Sequence, residues 1–241
     1  MKFRIAVCVL LLSAHFVTLS YAAPADQERV IGQAKQVLVE MMASRDSIPE
    51  ELLAKCKAIA IYPFVINGGF LAAGRYGRGV VLKRDKKTGE WGPVSFSTIA
   101  GVSGGLQIGI QATDLVLLIL NNKGLDSLLT SKFTLGGDFS ISVGPAGTAS
   151  ELSTDFFLKS MIFSYSKSRG FFAGVALNGA LIIPDNSANN AYYGKSVSAE
   201  DILLNGRVAI NPSSRELIDT INEYASRWQK RQLLKSKPAR Q

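Results

Sequence analysis

Lys57-Ala58-Ile59-Ala60-Ile61-Tyr62-Pro63, then Gly68-Gly69-Phe70-Leu71-Ala72-Ala73, then Arg75-Tyr76-Gly77-Arg78-Gly79-Val80-Val81-Leu82, is the stretch that decides the fold. Ala58–Tyr62 is an unbroken apolar run ended by a proline, which reads as a buried strand. Gly68 and Gly69 open a second run, and Val80-Val81-Leu82 closes a third before the turn residues Asp85 to Gly89. Outward from there, strand signals recur at Val94–Ile99, Leu106–Leu120, Phe133–Leu135, Phe139–Val143, Met161–Tyr165 and Phe171–Ile183. Phe139, Ile141 and Val143 alternate with Ser140 and Ser142, the period of a sheet with one wet face. Gly101, Gly104, Gly105, Gly109, Gly136, Gly137, Gly144, Gly147, Gly170, Gly174 and Gly179 stand in or beside these runs. Glycine weakens a strand unless a bulge, a bend or a close backbone approach requires it. The pattern predicts an α+β fold whose core is a strongly bent, partly closed antiparallel β-sheet, flanked by N-terminal and C-terminal helices.

The helices are read from apolar spacing and caps. Asp26 can cap a helix over 27–44 with Val30, Ala34, Val37 and Met41 on one face, beside Ile31, Leu38 and Met42. Ser47-Ile48-Pro49-Glu50 resembles a capping box that opens a short helix through Lys55. Gly124–Leu129 is expected to form a turn or two of helix. Ser198 caps Ala199 to Leu204, and Ser213-Ser214-Arg215-Glu216 is a second capping box. The last helix carries Leu217, Ile221, Tyr224 and Trp228 inward, with a basic tail fraying after Trp228.

The first residues read as an export signal. Lys2 and Arg4 precede an apolar run from Ile5 to Leu12, and Ser20-Tyr21-Ala22 offers small residues for cleavage. The expected division is a signal peptide at 1–22, a single domain at 23–229 and a basic C-terminal tail at 230–241, with a periplasmic or secreted destination and peripheral membrane association. Cleavage would remove Cys8 and His15, the only histidine, and leave Cys56 as the one thiol. Without histidine, Ser-His-Asp and Cys-His machinery and histidine-based zinc sites cannot be assembled. No phosphate-loop motif is present. The chain is therefore expected not to be an enzyme and to need no cofactor.

Charge points to a binding role instead. The 27 Lys and Arg outnumber the 19 Asp and Glu, but unevenly. Residues 55–87 hold eight basic side chains against Asp85 alone, and the last sixteen residues hold six with no acid. Clustered cations attract phosphate-bearing surfaces at about 1 kcal/mol per residue near an anionic bilayer. Arg75 and Arg78 flank an aromatic and glycines, where guanidinium and backbone N–H groups could approach one phosphate together. The candidate lipid- or phosphate-binding residues are Arg75, Arg78, Lys83, Arg84, Lys167 and Arg169. Asp114, inside an apolar run, is expected to be paired with an arginine such as Arg75, Arg78 or Arg169. Nucleic acid is not an expected partner, since no recognition motif for it is present.

Taken in order, Lys57–Pro63, Gly68-Gly69-Phe70, Gly74–Val80, Gln107-Ile108-Gly109, Asp114-Leu115-Val116, Phe133–Asp138, Gly144–Gly147, Tyr165–Gly174 and Tyr192-Tyr193-Gly194 resemble the SYLF domain family, across roughly residues 30–230. The resemblance implies phospholipid binding, with phosphoinositides preferred by eukaryotic members, and actin binding by fungal ones. An exported member would meet an anionic phospholipid membrane surface, and as an alternative partner actin or a cell-envelope protein. The helix over 27–44 departs from members in which a basic amphipathic helix precedes the domain, because here it is nearly neutral.

Overall fold

In the computed structural model the described residues are 24–44, 47–69, 73–103, 109–129, 133–135, 141–144, 162–169 and 179–236. The expected signal peptide, the glycines Gly104, Gly105, Gly136, Gly137, Gly147, Gly170 and Gly174, and the last residues of the basic tail lie outside them.

Among the described residues, eight strands form one sheet: β1 (Ala58–Gly69), β2 (Ala73–Lys83), β3 (Ser95–Ser103), β4 (Gly109–Ile119), β5 (Phe133–Thr134), β6 (Ile141–Val143), β7 (Ile162–Arg169) and β8 (Leu181–Pro184). Their order is β5-β8-β3-β2-β1-β4-β7-β6, curled into a half-barrel. All pairings are antiparallel except β6 with β7, which is parallel. The helices are α1 (Pro24–Met42), α2 (Glu50–Lys55), α3 (Asn122–Leu129), α4 (Asn186–Tyr193), α5 (Ala199–Leu203) and α6 (Arg215–Ser236).

The unbroken apolar run in β1 has a direct physical reason: both faces of the central strands are buried. Ile59 and Ile61 join Val80, Leu82, Phe96, Val116, Leu118 and Phe163 in one core, beneath the stripe Val30, Ile31, Ala34, Val37, Leu38 and Met41 of α1. Ala58, Ala60 and Tyr62 join Leu115, Leu117, Ile119 and Ile162 in a second core on the opposite face, closed by Leu125 of α3 and Ile202 and Leu203 of α5. Cys56 is fully buried under α2, donates to Leu53 O at 3.3 Å, and burial pushes its thiol up to about 12.

The sharpest local feature falls at Pro63-Phe64. The register of β1 slips there against both neighbours, and Phe64 adopts φ 56°. A proline inside a strand forces such a bulge, because it has no N–H for the ladder. Asp114 accepts the Phe64 N–H at 3.1 Å. The buried carboxylate thus satisfies a backbone donor that the slipped ladder abandons. The bulge brings the Tyr62 ring and the Ile61 carbonyl against Gly79, leaving no room for a Cβ.

Some expected details change. Pro49 starts α2 with no side-chain cap, so the Ser47 capping box does not form. Asn211 rather than Ser213 caps the last helix: its Oδ1 takes the Ser213 N–H at the head of a 3-10 turn, Pro212–Ser214, from which α6 continues. The Ser198 box forms as expected, with Asp201 as its reciprocal partner. A helix over 186–193, which no sequence signal named above marks, is capped by Asp185 and ended by Gly194 at φ 65°. Its buried Asn189 accepts the Phe96 N–H at 2.8 Å, tying α4 to β3. Val143, expected to point inward with Ile141, is 83% exposed.

Candidate functional site: the two ends of the sheet

The long central strands separate the sequence-predicted cations into three groups. Helix α1 lies across the sheet from β2 to β7, held at one end by Arg78 Nη1 to Asp26 at 2.5 Å and at the other by Lys167 Nζ to Glu40 at 3.0 Å. Asp26 also takes Arg29 Nη2. These two predicted site residues therefore clip a helix to the sheet. Asp26 is pulled below its ordinary value of 3.8, first by the Arg78 hydrogen bond and then by Arg29. A depressed carboxyl adds stability above its unfolded pKa and loses it as the pH falls through the folded value. Asp26→Asn is expected to cost about 1 kcal/mol at neutral pH. Urea melts at pH 7 and near pH 3 should show variant and wild type converging in acid.

Beyond α1 the same sheet face continues uncovered. Ile66, Tyr76, Ala112 and Arg169 stand opposite one another in one cross-strand row, and Gly68, Gly74 and Ile110 in the next. Ile66 is 51% exposed, Tyr76 55% and Ile110 87%. They border a groove of about 450 Å³ floored by Gly68, Gly74 and Gly101, with Arg75 at its side. Arg75 donates from Nε to Asn67 Oδ1 at 2.7 Å, and partial burial lowers its pKa. The register also brings the Arg169 backbone to this end.

The remaining predicted pair sits at the far end of β2. Lys83 is half-buried opposite Ala58. Arg84 is taken up internally: its Nη1 and Nη2 donate to the Ala54 and Leu53 carbonyls at the end of α2, and its guanidinium lies 4.8 Å from the Trp91 ring. That arrangement ties β2 to α2. The exposed cations here are Lys57, whose backbone links Ile119 and Arg84, and Lys86 and Lys87 on the following turn. None of these three was singled out as a site residue from sequence, although all lie in the basic island.

The second island arrives through helix packing. Lys55 Nζ lies 5.4 Å from the Trp228 ring, and Arg231 pairs with Glu50, so the last turns of α6 run along α2. The helix continues to Ser236 where fraying after Trp228 was expected. It presents Lys230, Arg231 and Lys235 beside Leu233 and Leu234, which are 65% and 70% exposed.

A sequence profile described as "Ysc84: Las17-binding protein actin regulator" matches residues 100–224. The chain is also 34% identical over 183 residues to SH3 domain-containing YSC84-like protein 1 of Rattus norvegicus, covering 76% of this chain and 53% of the relative. It is 35% identical over 183 residues to Protein YSC84 of Saccharomyces cerevisiae, covering 74% of this chain and 38% of that protein.

The chain belongs to the Ysc84 family.

It spans about half or less of the length of these relatives. The profile match begins inside β3 and ends within α6, so it takes in β4, the asparagine-rich α4 and the inward face of the last helix. The cationic strand β2 lies before it. Among the described residues of this Ysc84-family domain, no group of three or more His, Cys, Asp or Glu is placed to hold a metal. No helix among them is long and apolar enough to cross a membrane.

Proposed function

We propose that this domain is a non-enzymatic module that docks peripherally on anionic phospholipid through the basic end built from the 57–87 segment and the last turns of α6. One observation carries the reading: two cationic islands far apart in sequence meet at a single end, with exposed leucines among them. Lysines above a bilayer contribute about 1 kcal/mol each, and apolar side chains add burial at the headgroup boundary. Such attraction is screened by salt. Co-sedimentation with phosphatidylserine-containing vesicles is expected at 0.1 M NaCl and to fade by 0.5 M, with no capture by neutral phosphatidylcholine. Equal capture by both lipids at both salt concentrations would rule this reading out. We further propose that residues 1–22 are an export signal, which N-terminal sequencing of the mature protein tests.

A protein partner is the second reading, favoured by the relatives' names, which include Las17-binding and LAS seventeen-binding proteins. The same lysines suit an acidic protein surface such as actin. Filament co-sedimentation that survives in the absence of lipid would support it.

A further inference from the structure

We draw no further inference here: the strongest candidate, the exposed surface patch of Ile66, Tyr76 and Ile110 on the sheet face beyond α1, carries nothing because nothing in the structure shows what covers it.

Discussion

Replacing Lys57, Lys86 and Lys87 together by glutamate should reduce binding to anionic vesicles by at least about 100-fold, on the estimate of about 1 kcal/mol for each cation near a charged surface. All three side chains are exposed. Their loss breaks no hydrogen bond or ion pair described above, so the melting curve should stay close to that of wild type. The Lys57 backbone, which carries the structural links to Ile119 and Arg84, is untouched by the change. Titration of vesicles at low salt, with sedimented protein as the readout, decides the matter. A variant that binds within about three-fold of wild type would show that these lysines do not face lipid. Arg84→Lys is a useful contrast. It should impair stability more than binding, because the guanidinium holds two α2 carbonyls that one ammonium cannot reach in the same geometry.

The second large effect concerns Gly79. A methyl group there would overlap the Ile61 carbonyl and the Tyr62 ring, at the place where the Pro63-Phe64 bulge swings β1 toward β2. Backbone on the far side cannot turn away as a flexible side-chain tip can. Gly79→Ala is expected to cost about 3 kcal/mol or more, the upper range for overpacking. At this chain length, that lowers the melting temperature by about 10 °C. Gly32 supplies the internal control. It lies inside α1 with open space around it, so Gly32→Ala should stabilise by up to about 1 kcal/mol through helix propensity alone. Thermal melts of both variants test the pair. Equal and small effects would mean that the sheet relaxes freely at the bulge.

Local chemistry made much of the architecture readable. The apolar run at Ala58–Tyr62, the stripe of α1 and the Ser198 box each specify their element within a few residues, and all three form. The bulge was not located, because glycines drew attention as the bending residues while Pro63 carried the signal. Helix α4 was missed although Asp185 and Gly194 bracket it, since asparagines are poor helix formers in isolation. Its stability comes from Asn189 and Tyr192 packing on β3, contacts that span more than ninety residues. The site was harder for the same reason. Arg78 and Lys167 look available in sequence, yet their carboxylate partners lie 52 and 127 residues away on a helix. Arg75 and Lys83 are neighbours in sequence but belong to opposite ends, because an extended strand carries eight residues about 26 Å. Conversely, Lys57 and Lys230 are remote in sequence and come to one end only through the docking of α6 on α2.

A curled sheet keeps its radius only if something spans its chord. Here α1 is that strut. The fourteen residue-to-residue steps from Asp26 to Glu40 cover about 21 Å of helix, reaching from the second strand over the two central ones to the seventh. Its terminal ion pairs are partly solvated and individually weak, while the oily stripe between them supplies the adhesion. The pairs therefore set the angle at which the strut lies, and so the aperture of the half-barrel, more than they set how firmly it holds.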